Sequence, residues 1–581
     1  MKKVFFLLTC LSVWFEVSAQ QPAKRPNIIV ILSDDMGYSD LGCYGSEIHT
    51  PNLDKLYKNG LRFTQFYNTA RCCPSRASLL TGLYPHQAGM GWMRDKDAGL
   101  EGYQGGLSKH AVTMAEVVKP AGYTTLMVGK WHVSQGIRQD GPLDNWPLQR
   151  GFDRFYGTIQ GAGSYYDPAT LCRGNQLITP ATDTAYQPAN YFYTDAVTHE
   201  AIRFIKESDP SKPFFMYLAY TAAHWPLQAK PADIKKYKGM YDKGWEAIRK
   251  QRFEKMKKLG LLPANAELSP SDAPGWKDEK NKAVQAGRME VYAAMVDEMD
   301  QGIGEIMAQL KKQGLDENTV VMFMQDNGGC AEEIGTKGKT GPVAANPEKI
   351  KPRAKGEIEY DVIPKMTKDG KLIMKGEGII GGPETTYVSY GKVWANVSNT
   401  PFREYKHWVH EGGISTPLII HYPAGIRQHN SSNFVGHFID IMPTVAELAG
   451  ASYPANWHNN EIIPMEGTSL VPLFTGKALD RGKALCWEHE MNRAVRLGDW
   501  KLVAKGELLS EKDGYGEWKN YTLGKWELYN IKSDRSELHD VSAQHPDRVR
   551  EMSAIWDDYA KRAKVLPAPW TPLQGTPESG Q

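Results

Sequence analysis

The chain has 581 residues, 41% of them hydrophobic and 23% charged, with a formal net charge of +2. That length supports a large core and more than one domain. The near-neutral balance gives no electrostatic case for a nucleic-acid partner, and no apolar run is long enough to span a bilayer, so the mature protein is expected to be soluble.

Lys2 and Lys3 precede an apolar run over residues 4–15, and Val17-Ser18-Ala19 has the small-residue pattern of a cleavage site. Residues 1–19 therefore read as a signal peptide, and the protein as exported, periplasmic or secreted. Seven cysteines are few for an exported chain of this size. Cys10 leaves with the signal. Cys43, Cys72, Cys73, Cys172, Cys330 and Cys486 show no even-spaced framework, so this is no disulfide scaffold, although one or two bridges stay open.

The mature chain opens with Asn-Ile-Ile-Val-Ile-Leu over 27–32, followed by Ser33, Asp34 and Asp35. A β-branched run bounded by polar residues predicts a strand buried on both faces, carrying two carboxylates at its end. Thr113 and Glu116 have capping-box spacing for a helix over 113–119. A strand follows over 124–128, running into Gly129-Lys130-Trp131-His132. Residues 213–220 form the next strand and lead to His224. A helical pattern over 289–312 precedes a strand over 319–324, which ends in Gln325-Asp326-Asn327-Gly328. Residues 417–420 give a fifth strand. Two stretches read as insertions. Residues 237–286, rich in Lys, predict a solvated helical face or a border of the substrate entrance. Residues 329–400 hold a hairpin over 357–374 around Lys368-Asp369-Gly370 and suit a binding loop. After Gly476, short strands over 493–497, 500–503 and 526–529 precede Val549, Met552, Trp556 and Tyr559 at helical spacing.

The expected class is α/β: a mixed, largely parallel sheet flanked by helices, with a smaller C-terminal α+β domain. The expected division is a catalytic domain over 24–478 and an antiparallel sheet with one helix over 479–570. In open α/β sheets the ligand crevice lies beyond the carboxyl ends of the strands. Asp34, Asp35, Lys130, His132, His224, Asp326 and Asn327 can therefore converge from distant segments. Asp34, Asp35, Asp326 and Asn327 all offer hard oxygen ligands, which suit Ca²⁺ or Mg²⁺. Taken singly, an Asp pair after a strand is ordinarily a turn or cap, and a lone Lys or His is ordinarily structural. Joint occurrence at strand ends is what raises them to a site.

Cys72-Cys73-Pro74-Ser75-Arg76, followed by Ala77-Ser78-Leu79-Leu80-Thr81-Gly82, carries most of the information. A Cys beside a helix N-terminus sits where backbone N–H groups and the helix dipole favour an anion. Here the chain resembles the type I sulfatases of the alkaline phosphatase superfamily, whose signature is Cys-x-Pro-Ser-Arg ahead of Leu-Thr-Gly. The resemblance extends to Asp34-Asp35, Asp326-Asn327-Gly328, Gly129-Lys130-Trp131-His132, the Ala-Ala-His-x-Pro element at His224, and Pro401-Phe402-Arg403 with Lys406 and Glu411-Gly412-Gly413. It departs at Glu404, where the family often has Gly. Tyr84-Pro85-His86-Gln87 and the segment 394–413 look closest to the arylsulfatase branch.

The resemblance implies hydrolysis of sulfate monoesters with one Ca²⁺ per chain and a formylglycine made from Cys72 by a maturation enzyme. The ion would be held by Asp34, Asp35, Asp326, Asn327 and the converted Cys72. Arg76 and His132 would support the nucleophile, and Lys130 and Lys406 would bind sulfate oxygens. His224 would protonate the leaving oxygen and His132 assist elimination, with the two histidines exchangeable. A sulfated sugar is the expected substrate, from export and from Trp and Tyr in the insertions. The rivals are a phosphonate monoester hydrolase or phosphodiesterase of the same superfamily, and a sulfated-glycan binding protein without catalysis.

Overall fold

The structure is a computed structural model that describes residues 24–94, 97–427, 430–510 and 518–572. The expected signal peptide lies outside the described residues. The elements used below are, in chain order, β1 (Asn27–Ser33), β2 (Leu61–Tyr67), α1 (Cys72–Thr81), β3 (Thr124–Lys130), β4 (Arg154–Thr158), β5 (Phe214–Ala219), α2 (Trp245–Lys258), α3 (Lys282–Lys312), β6 (Thr319–Gln325), β7 (Ser415–His421), β8 (Leu485–His489), β9 (Asn492–Leu497), β10 (Trp500–Ala504), β11 (Glu527–Asn530) and α4 (Pro546–Arg562).

The centre is an 11-stranded sheet. Its middle runs β6-β1-β5-β3-β4, all parallel. Each residue of β1 is buried. Alternate residues serve opposite faces: Ile29 and Ile31 belong to one core cluster, and Ile28, Val30 and Leu32 to the other. That two-sided burial is why β1 is a continuous apolar run rather than an alternating one. The expected class holds: a largely parallel sheet covered by helices, with a second, smaller sheet towards the C-terminus. The expected capping box is present, with Glu116 N donating to Thr113 Oγ1 and Thr113 N to Glu116 Oε2.

Two expectations need correction. The stretch 237–286 is solvated on one side only, with residues such as Glu246, Lys250 and Glu254 exposed. Helix α2 buries Trp245, Ile248, Arg249, Arg252, Phe253 and Met256. Arg252 is fully buried and pairs with Asp40 at 2.6 Å and Glu47 at 2.8 Å, and Trp245 packs edge-on against Trp276 and Trp394. The stretch does not line the cavity described below. The hairpin expected over 357–374 shrinks to a single bridge, Met366 to Leu372, while Met374–Lys375 pairs with Gly341–Pro342 instead. The strand expected over 417–420 is present as β7, and its antiparallel pairing with β6 and β2 is what makes the sheet mixed. The six cysteines Cys43, Cys72, Cys73, Cys172, Cys330 and Cys486 are all buried free thiols.

A four-stranded antiparallel sheet, β8-β9-β10-β11, carries α4 on one face. Its core is shared with Tyr67, Ala70, Tyr84, Val409 and Ile414 from the segments around α1 and β7. No described helix is long and apolar enough to cross a membrane.

Candidate active site

Beyond the carboxyl ends of β1, β3, β5 and β6 the backbones stay hydrogen-bonded to one another. Asp34 N donates to Ala222 O at 3.0 Å, Ala223 N to Asp34 O at 2.9 Å, and Asp326 N to Ser33 O at 3.1 Å. These bonds fix the two acidic pairs side by side. Strand β2 runs in the same direction and delivers Cys72 four residues past Asn68. Because β7 runs the other way, its start lies at this same edge, which brings in Lys406 and Glu411. Gly129, at φ +104°, lies so close to β5 that a Cβ there would meet Ala219 O at 2.0 Å. Only a glycine lets Lys130 and His132 leave β3 so near β5.

Helix α1 starts at Cys72 itself, and all ten of its residues are buried. Its first N–H groups have no partner within the helix and point to the Cys72 end, a setting that favours an anion. Arg76, one turn on and fully buried, donates to Asp326 Oδ2 at 2.8 Å, to Asp34 Oδ2 at 3.2 Å and to the Lys130 carbonyl at 3.0 Å. Lys130 Nζ lies 2.5 Å from Asp34 Oδ2, and Lys406 Nζ 2.9 Å from Asp35 Oδ1. Asn327 Nδ2 donates to Asp35 Oδ1 at 2.8 Å, and His224 Nε2 lies 3.4 Å from Asp35 Oδ2. Three carboxylates thus face three cationic side chains, all buried. The structure brings together every residue singled out from the sequence for the site. Their chemical roles are a separate matter, taken up below.

The electrostatics follow from this packing. Burial pushes Asp34 up, but Lys130, His224 and Arg76 outweigh it and hold the carboxyl below its ordinary range. Asp326 is pushed well above its range by burial and by the charge on Asp34. Cys72 is drawn well below the ordinary thiol value by a hydrogen bond with Cys73, with Lys130 and His132 countering burial. Burial pushes Cys73 well up. Burial takes His132 down to about 3, so its ring is neutral. Burial also lowers His224, against the pull of Asp35.

The acidic cluster fits a hard divalent cation. Asp34 Oδ1 and Asn327 Oδ1 are buried without a hydrogen-bond partner, and Asp35 and Asp326 add further oxygens beside them. An orphaned buried carboxylate oxygen is costly unless an ion or water meets it. A dication at this position would also let Asp326 ionise.

Above the cluster opens a cavity of about 810 Å³ with Cys72, His132, His224 and Lys406 on its surface. Its walls include Arg71, Trp92, Arg94, Gln160, Trp225, Glu332, His407 and Glu490. Glu332 binds Arg71 at 2.9 Å and the Trp225 indole N–H at 2.9 Å, and lies 3.7 Å from Lys406. Burial pushes its carboxyl up, but Lys406 and Arg71 prevail and hold it far below the ordinary range. Glu404, where the family often has Gly, takes a left-handed backbone at φ 64° and pairs with Lys505. Glu332 lies in the stretch 329–400 expected to act as a binding loop, while the other wall residues were not singled out from the sequence. Position offered a signal for two of them: Arg71 adjoins Cys72, and Glu332 follows Asp326-Asn327 closely past β6.

A model of the family described as Sulfatase matches residues 26–451. The chain belongs to the sulfatase family. A second model, N-sulphoglucosamine sulphohydrolase, C-terminal, matches residues 403–556. An uncharacterized sulfatase of Schizosaccharomyces pombe is 33% identical over 576 residues, covering 95% of this chain and 96% of its own. The arylsulfatase of Klebsiella aerogenes is 35% identical over 475 residues, covering 80% and 95%. A solved structure holding its substrate D-glucosamine-2-N,6-O-disulfate shares the fold, with TM-score 0.58 and 20% identity over 94% of this chain and 99% of that one. This sulfatase is therefore a sulfuric ester hydrolase.

Proposed function

We propose that this sulfatase removes sulfate from carbohydrates with a formylglycine made from Cys72 and one Ca²⁺ held by Asp34, Asp35, Asp326, Asn327 and residue 72. The observation that carries the reading is the placement of Cys72 at the head of a buried helix, on the cavity surface, beside Lys130, His132 and an acidic cluster with orphaned oxygens. As a formylglycine hydrate, residue 72 would supply one hydroxyl to attack sulfur as the S–O bond to the leaving group breaks, and a second whose deprotonation would break the C–O bond to sulfate and return the aldehyde. The ion supplies Lewis-acid polarisation and a template.

The chain's own residues do the rest. Lys130 and Lys406 hold fixed positive charge where the sulfate oxygens must lie. Arg76 ties Asp34 to Asp326 and keeps both aligned under residue 72. His132, neutral in its buried setting, accepts the proton released in the elimination. His224 gives a proton to the leaving oxygen. Trp92 and Trp225 offer apolar faces, while Arg71, Arg94 and Gln160 offer donors, a mixture suited to a sugar. The structurally similar protein that takes a disulfated glucosamine supports that choice. Cys72 is 2% exposed, so a maturation enzyme must reach it before the helix closes over it. Export to the periplasm or the outside is part of the proposal and rests on the leader pattern of residues 1–19.

The test is mass spectrometry of the Cys72 peptide from native-host protein, paired with sulfate release from a panel of sulfated glycans. Expected are an aldehyde at position 72 and sulfate release that Cys72→Ala abolishes. Active enzyme with an intact thiol would refute the mechanism. Faster cleavage of a phosphodiester than of a sulfate ester with the same leaving group would favour the phosphodiesterase alternative.

A further inference from the structure

We propose that His407, His489 and Glu490 form a second metal site, for a divalent transition ion such as Zn²⁺, in the wall of the substrate cavity. One nitrogen or oxygen from each residue lies within 4.8 Å of the others. His407 Nδ1 is 2.6 Å from Glu490 Oε2, and His489 Nε2 is 3.7 Å from Glu490 Oε1. Zinc ligands at about 2.0–2.1 Å in tetrahedral array stand about 3.4 Å apart, so small side-chain adjustments close the site.

Independent observations point the same way. His489 is fully buried, and neither of its ring nitrogens has a hydrogen-bond partner. Buried polar atoms are nearly always bonded, and an orphaned imidazole calls for an ion or water. The backbone is strained where the ligands meet. Glu490 and Met491 form the two-residue turn between β8 and β9 at φ 49° and 68°, positions that hairpins normally give to Asn or Gly. His407 sits at φ 95°. Strain of this kind gathers at functional sites. Supporting contacts are in place too. The Trp92 indole donates to Glu490 Oε1 at 2.6 Å and steadies the carboxylate.

The donor set separates this site from the acidic cluster beneath it. Two imidazoles and one carboxylate suit zinc and its neighbours, whereas oxygen-only ligands suit calcium. Three protein ligands leave a further coordination position. His407 and Glu490 line the cavity, so an ion there borders the path of the leaving group, where a sugar hydroxyl or carboxylate completes its shell.

The test uses the full chain without an affinity tag, saturated with Ca²⁺ and carrying Cys72→Ser, which removes the thiol from the Cys72, Cys73 and His132 group. Zn²⁺ is titrated in competition with a chromophoric chelator, and retained metal is counted by elemental analysis. The expected result is one Zn²⁺ per chain, bound at least a hundredfold more weakly by both Glu490→Gln and His407→Ala. His407 is part-exposed, and the carboxamide matches glutamate in shape, so these two carry the test rather than a change at buried His489. A Ca²⁺-saturated chain that retains no Zn²⁺ overturns the proposal, as does equal retention by either variant. The readout is binding, so its failure leaves the sulfate-release reading untouched, and failure of that reading leaves this one standing.

Discussion

His224 and His132, the histidines proposed for proton transfer, differ in what holds their rings. His224 Nδ1 lies 2.7 Å from the Trp225 carbonyl, which can only accept, so Nδ1 carries a hydrogen. The nitrogen facing Asp35 and the cavity is then Nε2, which can donate to a leaving oxygen only when the ring is cationic. Burial lowers His224 from its ordinary 6.5. A group that must be protonated to act loses its contribution as pH rises through its pKa. For substrates with poor leaving groups, kcat/KM should therefore fall as pH rises through a value below 6.5 in the free enzyme. His224→Asn should cut kcat/KM for such substrates by about 100-fold and remove that limb, with a smaller loss for aryl sulfates. An unchanged pH profile in the variant would move the acid role elsewhere. His132 is held neutral by burial, which suits the proton-accepting role proposed for it. Both rings are buried, so on the proposed reading it is the Trp225 carbonyl at His224 Nδ1 that distinguishes the pair sequence left exchangeable.

At the scale of elements, α2 shows how buried charge braces the floor of the site. Arg252 joins Asp40 and Glu47, and Asp40 also accepts from Gly37 N at 2.8 Å in the loop after Asp35. Arg252→Ala should destabilise the fold by about 3–5 kcal/mol, because it strands two buried carboxylates. Urea denaturation of Arg252→Met with and without Glu47→Gln checks this: the double variant should recover part of the loss. No recovery would mean that packing, not charge, is what Arg252 supplies. This helix also marks where sequence stops being informative. Strand β1 was legible because two-sided burial demands an apolar run, and its Asp pair announced the site. In α2, residues 245–258 carry so many Lys, Arg and Glu that they read as solvated. Their partners Asp40 and Glu47 lie some 200 residues away, and only the fold introduces them. The run in β7 was legible as a strand, but an apolar run carries no direction, so its antiparallel course was not. Strand β8 was missed because Glu488 and His489 look like surface residues until β9 and the cavity enclose them. The site's floor was legible for the reason β1 was: motifs at strand ends. Its walls come from single residues on separate loops, each unremarkable alone.

Across the whole molecule, the smaller sheet is fastened to the catalytic part by charge as well as by apolar packing. Lys501 on β10 lies 3.0 Å from Glu411 and 2.8 Å from Glu537. Arg496 on β9 donates to the Tyr67 hydroxyl at 3.0 Å, which itself donates to Glu411 at 3.1 Å. The Trp487 indole donates to Asn68 O at 2.8 Å, in the loop between β2 and α1. Burial pushes Glu411 up, but Lys501, Arg535 and Arg496 prevail and bring it to about 2. Its folded value is depressed, so its stabilisation is present above the unfolded value near 4.3 and is lost as pH falls towards 2. That shift corresponds to on the order of 3 kcal/mol. Lys501→Met should lower stability at pH 7 by about 3–5 kcal/mol and flatten the acid limb, since Glu411 then loses its main partner. It should also reduce sulfate release below the melting temperature. The segment from Lys406 to Glu411 links this clamp to the cavity, and β8 carries Glu490 into its wall. Melting temperature and kcat measured together between pH 3 and pH 7 check the coupling. A variant that melts earlier but keeps both the wild-type acid limb and full turnover would show that the sheet is held by its apolar core alone.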